Sequence, residues 1–224
     1  MGDELLPSIE AGIHPASEID FFNKSFRRTL KAADGGQRSV DGHKDGGKMY
    51  QGVIMSGFGG QGIISAGILL AYSGMVDGKH VTFFPAYGAE MRGGTANCSV
   101  VVSSEEVASP VVSHPDSLIV MNEPSLARFE PALKPDGLLL INTSLISSKP
   151  KRSDINPVMI AANRIAEEIG SVKCANMVMM GALLNRTKAV SLESVIKTLP
   201  KVYARAKKEI LDMNVEALKK GSML

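Results

Sequence analysis

The chain has 224 residues, of which 44% are hydrophobic and 21% charged, as in a globular protein with one core domain and a short appendage. Its net charge of +2 at pH 7 argues against nucleic acid or a membrane surface as a partner. Its 2 cysteines cannot ligate an iron–sulfur cluster, which needs four ligands, and they indicate no disulfide framework. With no visible signal peptide and no apolar run long enough for a bilayer, we expect a cytoplasmic protein.

Residues 1–48 differ in composition from the rest of the chain. They hold few aliphatic residues and end in a polar, glycine-rich stretch from Asp34 to Lys48, which is typical of a flexible linker. Within them, the segment from Glu18 to Leu30 has the spacing of a short amphipathic helix, which could dock on a partner chain. We expect a flexible or partly ordered extension over residues 1–48 and a compact domain over residues 49–224.

From Met49 onward, predicted strands alternate with predicted helices. We predict strands at about 50–56, 79–84, 97–103, 117–122 and 138–142, with a further extended piece at 155–160. We predict helices at about 61–74, after Pro124, and at 161–169, 175–184, 191–199 and 201–220. Because the strands are nearly continuous apolar runs, the pattern predicts a Rossmann-like α/β domain, with a mostly parallel sheet and helices on both faces.

Two of these helices carry further predictions. The segment from Ala175 to Leu184 is apolar all round and rich in methionine, which indicates a helix buried in the core or against another chain. The last helix has an apolar stripe and a run of Lys and Arg that reads as a solvated face. Its stripe comprises Val202, Ala206, Ile210, Met213 and Ala217.

A glycine-rich turn follows the first predicted strand. Gly57, Gly59 and Gly62 satisfy the pattern G-x-G-x-x-G between a strand and a helix. Such a turn allows a sharp reversal, a close approach of a phosphate and tight packing of the helix on the strand, and the free N–H groups of the helix favour an anion. The candidate cofactor-binding residues are Gly57, Gly59, Gly60, Gln61 and Gly62. The alternative is that the glycines serve only the turn and its packing.

The second predicted strand lacks the acidic residue that holds the ribose of a dinucleotide. That strand ends in Phe84-Pro85-Ala86, and Asp77, which has the right count along the chain, precedes it. We therefore discount NAD and FAD as ligands.

A second polar loop follows at the same predicted edge of the sheet. It runs from Tyr87 to Thr95, and its Arg92 between glycines could clamp a phosphate or a carboxylate. Its candidate binding residues are Glu90, Arg92, Gly93, Gly94 and Thr95. The alternative is that Arg92 pairs with Glu90 and shapes the loop.

The usual catalytic constellations are missing from the sequence. His14 and His43 lie in the extension, and His80 and His114 are isolated. No His, Cys or carboxylate cluster has metal-ligand spacing, and no nucleophile elbow or P-loop occurs. We therefore expect no catalytic residue and no metal site in this chain, which would bind and position something rather than break bonds.

Three motifs in order carry a resemblance to a known family. They are Met55-Ser-Gly-Phe-Gly-Gly-Gln-Gly62, Tyr87-Gly-Ala-Glu-Met-Arg-Gly-Gly-Thr95 and Asn176-Met-Val-Met-Met-Gly-Ala182. Together they resemble the gamma subunit of 2-oxoacid:ferredoxin oxidoreductases over about residues 49–224. The Glu90-Met91-Arg92-Gly93-Gly94 form resembles the 2-oxoglutarate type.

The resemblance implies a subunit that is inactive alone. The complex it implies decarboxylates a 2-oxoacid, passes two electrons to ferredoxin and makes an acyl-CoA. Thiamine diphosphate, Mg and iron–sulfur clusters would sit on the alpha and beta partner subunits, with a delta subunit in some complexes, and coenzyme A would be a co-substrate. This chain would position the cofactor or coenzyme A and hold no cofactor by itself.

Two other functions stay open from the sequence. The indolepyruvate oxidoreductase beta subunit shares this domain, and a single partner chain carrying both cofactors would point to it. A free-standing Rossmann-like protein that binds a nucleotide or coenzyme A is the third possibility, and a colourless monomer that binds nucleotide would point there.

Overall fold

The computed structural model describes residues 48–87 and 94–224. The predicted extension therefore lies outside the described residues except for Lys48, and so do Glu90, Arg92 and Gly93 of the second loop. Within the described part, no helix is both long and apolar enough to cross a membrane.

The described chain forms an α/β domain, as predicted. Its strands are β1 (Tyr50–Phe58), β2 (His80–Tyr87), β3 (Thr95–Ser103), β4 (Ser117–Val120), β5 (Leu138–Asn142) and β6 (Asn156–Ile160). Its helices are α1 (Ile63–Val76), α2 (Glu123–Phe129), α3 (Ala162–Ile169), α4 (Ala175–Thr187), α5 (Leu192–Val202) and α6 (Lys208–Gly221). Short 3₁₀ turns at Glu130–Ala132 and Val172–Cys174 follow α2 and precede α4.

The six strands form one sheet in the order β2-β3-β1-β4-β5-β6. Strands β1, β4, β5 and β6 are parallel neighbours, whereas β3 runs antiparallel to both β1 and β2. The sheet is thus mostly parallel, as predicted, with β3 reversed because the connection from Tyr87 to Thr95 is too short for the crossover that a parallel neighbour needs. Strand β2 also continues through Pro85 to Tyr87, beyond its predicted end, since an edge strand can turn a missing N–H outward.

Helices α1 and α2 cover opposite faces of the sheet. In α1, an added Cβ at Gly67 would meet Cys98 and Phe83, and one at Gly74 would meet Val81 and Val102. In contrast, Leu126 of α2 belongs to a buried cluster with Ile54, Val101, Leu118, Val120, Leu139 and Ile141. Because adjacent residues of a strand point to opposite faces, Val102 and Val101 of β3 place the two helices on different sides.

Helix α4 is buried in the core, which is the first of the two interpretations of its composition. Met177, Val178, Met179 and Met180 each have 0% exposure. The helix packs against α1, α3, α5 and α6, and against β5.

The prediction for the last helix was wrong in its first half. Helix α5 runs through Pro200 to Val202, and α6 begins only at Lys208. Pro200 falls in the last turn of α5, where only two residues follow it, so the backbone hydrogen bond that its missing N–H removes lies at the end of the helix. As a result, Ile210 of the predicted stripe is 39% exposed, whereas Ala217 is buried as expected, together with Leu218 and Gly221.

Candidate functional site

The glycine turn joins β1 to α1, in the predicted order of strand, turn and helix. The backbone N–H of Phe58 donates to Oε1 of Gln61 at 2.6 Å, and the N–H of Gln61 donates back to the carbonyl of Phe58 at 3.2 Å. Gly62 is the N-cap of α1, with a φ of 69° that an L side chain rarely adopts. Its carbonyl accepts the first backbone bond of the helix, from Ala66 at 2.9 Å.

The candidate residues of this turn divide into two groups. An added Cβ at Gly57 would clash with Gln61 Oε1 and lie 2.9 Å from Met121 Cβ, and one at Gly62 would clash with Asn176 Nδ2. These two glycines are therefore required by packing. In contrast, Gly60 has a φ of 91°, and no atom of residues 48–87 and 94–224 lies within 4 Å of an added Cβ, so none of the described residues covers the tip of the turn.

The structure brings part of the second loop to the glycine turn. The backbone N–H of Gly59 donates to the carbonyl of Gly94 at 3.1 Å, and Thr95 pairs with Phe58 at the start of β3. Gly94 and Thr95 thus lie beside the turn, as expected from their place at the same edge of the sheet. The roles predicted for Glu90, Arg92 and Gly93 stay predictions.

Strands β1 and β4 end side by side at the same edge of the sheet. From β1 the chain proceeds to β2 and β3 on one side of the sheet, whereas β4, β5 and β6 lie on the other. The helices that follow β1 and β4 cover opposite faces, which makes this position a topological switch point. In open α/β sheets, ligands bind at the carboxyl ends of the strands at such a point.

Gln61 connects the ends of these two strands, and Asn122 begins the helix that follows β4. Nε2 of Gln61 donates to the carbonyl of Met121 at 3.3 Å, across the boundary between the strands. Asn122, which follows Met121, accepts a hydrogen bond from the N–H of Ser125 at 2.9 Å and so caps α2. Sequence reasoning missed Asn122, although Asn before Glu-Pro at the end of a strand is an N-cap signal.

The electrostatics of α1 suit an anion at its first turn. Gly62 offers no side-chain cap, and the first turn of α1 contains no acidic residue. The N–H groups there and the positive end of the helix dipole therefore attract negative charge without competition from a carboxylate of the helix itself.

The cysteines of the described chain are buried, which makes their thiols harder to ionise. Burial raises the pKa of the Cys98 thiol to about 12, so this cysteine stays protonated. Burial also raises the pKa of Cys174. No group of three or more His, Cys, Asp or Glu in residues 48–87 and 94–224 could hold a metal ion.

Asp77 serves the other end of α1. It is the C-cap residue of that helix, and its carboxylate accepts hydrogen bonds from the backbone N–H of Ser191 at 2.8 Å and from the hydroxyl of Ser194. The side chain therefore braces the start of α5 and is not available to a ribose.

A family comparison decides what kind of protein carries this site. The family described as pyruvate ferredoxin/flavodoxin oxidoreductase matches residues 52–224. The chain belongs to this family. Within it, the chain corresponds to the gamma-type subunit, since the keto/oxoacid ferredoxin oxidoreductase gamma subunit from Geobacter sulfurreducens PCA is a structural neighbour. That neighbour has a TM-score of 0.67 and 27% identity, over 77% of this chain and 94% of its own.

Curated relatives differ in how much of their length this oxidoreductase domain spans. Ketoisovalerate oxidoreductase subunit VorA of Methanothermobacter marburgensis is 35% identical over 76% of this chain, which spans only 35% of that relative. The 2-oxoglutarate synthase subunit KorC of Methanocaldococcus jannaschii is 37% identical over 68% of this chain and 83% of its own length.

A second solved structure is described with its ligands. It is the 2-oxoglutarate:ferredoxin oxidoreductase from Magnetococcus marinus with 2-oxoglutarate, coenzyme A and succinyl-CoA bound. It has a TM-score of 0.71 and 26% identity, over 78% of this chain and 30% of that one.

Proposed function

We propose that this chain is the gamma subunit of a multi-subunit 2-oxoacid:ferredoxin oxidoreductase. The complex decarboxylates 2-oxoglutarate or a similar 2-oxoacid, transfers the acyl group to coenzyme A and passes two electrons to ferredoxin. Its partners are the alpha and beta subunits, with delta where the complex has one. The relatives named as subunits of ketoisovalerate and 2-oxoglutarate enzymes support this assignment. We place the complex in the cytoplasm.

The chemistry of the reaction belongs to the partner subunits. The described residues offer no set of metal-ligating side chains, and the whole chain has only 2 cysteines. Thiamine diphosphate, Mg and the iron–sulfur clusters therefore reside on the alpha, beta or delta chains, and this subunit contributes binding and positioning.

The glycine turn binds a phosphate group of coenzyme A. The observation that carries this proposal is the open tip of the turn at Gly60, next to the uncapped first turn of α1 and at the switch point of the sheet. The coenzyme A named in the Magnetococcus marinus structure supports the choice of ligand. Arg92, in the sequence loop that ends beside Gly94, is the side chain that we propose to pair with the same phosphate.

A matched pair of substitutions at Gly60 tests this role. Asn and Asp have the same size, and both tolerate a positive φ better than other side chains, but only Asp brings a negative charge to the proposed phosphate position. In the assembled complex we expect Gly60→Asp to raise the KM for coenzyme A about tenfold above that of Gly60→Asn, which corresponds to roughly 1.4 kcal/mol. The KM for the 2-oxoacid should be the same in both variants. Equal KM values for coenzyme A in the two variants would contradict the assignment.

A further inference from the structure

Two buried side-chain amides beside the glycine turn each have an atom without a hydrogen-bond partner among the described residues. They are Nδ2 of Asn122 and Oδ1 of Asn176, in side chains that are 1% and 7% exposed. Buried polar atoms are nearly always paired in native proteins, so each exception asks for an explanation. That two such atoms flank one turn indicates a ligand that pairs with them.

The orientation of the Asn122 side chain is set by its other end. Its Oδ1 accepts from the N–H of Ser125, so Nδ2 must point away from α2 with both of its N–H groups uncommitted. The backbone before it is held to β1, because the N–H of Met121 donates to the carbonyl of Ser56 at 2.8 Å. Ser56 pairs with Val120, the last residue of β4. Two residues further along each chain, Asn122 comes opposite Phe58, where the turn begins.

The next strand provides an internal comparison. Asn142 also stands at the carboxyl end of its strand, and its Oδ1 accepts from the N–H groups of Ser144 and Ala162. In this residue, however, Nδ2 is also paired, with Oδ1 of Asn163 at 2.8 Å. An asparagine at the end of a strand can therefore have its amide nitrogen paired, as Asn142 does. Of the two, Asn122 at the switch point is the residue whose Nδ2 has no partner among the described residues.

The amide of Asn176 fixes the other side of the turn. Its Nδ2 donates to the carbonyl of Gly62 at 3.0 Å, which assigns the amide and leaves Oδ1 as the unpaired atom. The helix N-terminus and the Asn176 amide thus meet at Gly62, and Asn122 follows Met121, whose carbonyl accepts from Gln61 of the same turn. A ligand with phosphate oxygens and with hydroxyl or amide hydrogens can satisfy all three.

We propose that Asn122 is a binding residue of this site, whose Nδ2 donates to a phosphate oxygen of the ligand held at the glycine turn. The inference rests on the proposed function, which makes that ligand coenzyme A. Nδ2 belongs to a side chain that is 1% exposed at the end of β4, beside the turn. In that position the low local dielectric strengthens the hydrogen bond.

Two substitutions separate this role from the capping of α2. Both Ser and Asp are good N-cap residues, so Asn122→Ser and Asn122→Asp keep an acceptor for the N–H of Ser125. Ser removes the amide donor without adding charge, and Asp replaces the donor with a negative oxygen. In the assembled complex we expect the Kd for coenzyme A, measured by calorimetry, to rise about fivefold or more with Ser and further with Asp, as charge-assisted bonds are lost. The melting temperature should change little.

Asn142→Ser serves as the matched control. It removes the paired amide of the neighbouring strand end, so it should lower the melting temperature and leave the Kd for coenzyme A as in the wild type. If Asn122→Ser and Asn122→Asp bind coenzyme A like the wild type while Gly60→Asp does not, the role of Asn122 is overturned and the proposed function stands. If Gly60→Asp also binds like the wild type, the proposed function fails with it. A lower melting temperature with an unchanged Kd would likewise show that Asn122 only caps α2.

Discussion

At the scale of single residues, Gln61 explains why the glycine motif has the form it has. Its side chain accepts from Phe58 and donates to Met121, and it fills the space where Gly57 has no Cβ. Gln61, Gly57 and Gly62 therefore build the turn, while the tip at Gly60 stays open. The sequence alone could not make this division, because the neighbours that decide it, Met121 and Asn176, are far away along the chain.

The buried thiol of Cys98, which lies against α1, gives a prediction about stability at alkaline pH. The thiol of Cys98 donates to the carbonyl of Ile63, and its pKa rises from 9.0 to about 12 because it is fully buried. In the unfolded chain this thiol ionises above pH 9, whereas in the folded protein it stays neutral until about pH 12. Its contribution to the free energy of unfolding is therefore fully present below pH 9 and is lost as the pH rises from 9 to 12. We expect the free energy of unfolding to fall by up to about 1.4 kcal/mol more per pH unit in the wild type than in Cys98→Ala.

Urea unfolding at several pH values between 8 and 12 measures this difference. All other ionisable groups are the same in the two proteins, so their contributions cancel in the comparison. Parallel curves for the two proteins would show that Cys98 ionises as easily in the fold as in the unfolded chain, against the prediction.

At the scale of elements, the crossing of α4 and α6 depends on two glycines. An added Cβ at Gly181 would clash with the carbonyl of Leu218, and one at Gly221 would clash with the carbonyl of Val178 and lie 2.8 Å from its carbon. The two helix backbones therefore touch directly, and a side chain at either position would separate them. Gly181 belongs to the third sequence motif, so at least part of that motif serves packing.

We expect Gly221→Ala to destabilise the domain by about 1–3 kcal/mol, the usual cost of overpacking a tight contact. The matched control is Gly78→Ala, where an added Cβ meets nothing within 4 Å and only the φ of 70° is strained. In a thermal melt, Gly221→Ala should lower the Tm by about 2–4 °C for each kcal/mol lost, and more than the control. An equal or smaller loss in Gly221→Ala would mean that the helices can move apart without cost.

Most helices and strands were predictable from the sequence. The boundaries of the last two helices and the direction of β3 were not. Apolar segments that begin or end at Gly, Pro or polar residues predicted α1, α2, α3 and α4 and the strands. The division of the last helical region failed because Pro200 was read as a stop, although it lies in the last turn of α5. The reversal of β3 was not predicted, since the length of the connection after β2, and not the composition of either strand, decides it.

The sequence predicted where the candidate site would lie, but it did not predict all of the residues around it. The glycine motif and the loop ending in Gly94 were expected at one edge, and the bond between Gly59 and Gly94 confirms that they meet there. Asn122 and Asn176 were not predicted as site residues, because an unpaired amide becomes visible only when its surroundings are known. The predicted role of Arg92 stays a prediction.

At the scale of the whole molecule, the proposed function makes the chain a binding and positioning subunit whose activity depends on others. Its proposed anion site lies at the switch point of the sheet, and the described residues show no metal-ligating cluster. Oxidation of a 2-oxoacid needs thiamine diphosphate and an electron carrier, which the alpha and beta subunits supply in the proposed complex. The purified full-length chain should therefore be inactive, whatever cofactors are added.

Omission of this chain from the reconstituted complex tests the central claim most directly. The measurement is the rate of ferredoxin reduction by 2-oxoglutarate and coenzyme A, with the alpha and beta subunits in the presence and in the absence of the full-length chain. We predict turnover only when all the subunits are present, and none from this chain with thiamine diphosphate, Mg and ferredoxin alone. The same rate with and without the chain, or turnover by the isolated chain, would contradict it.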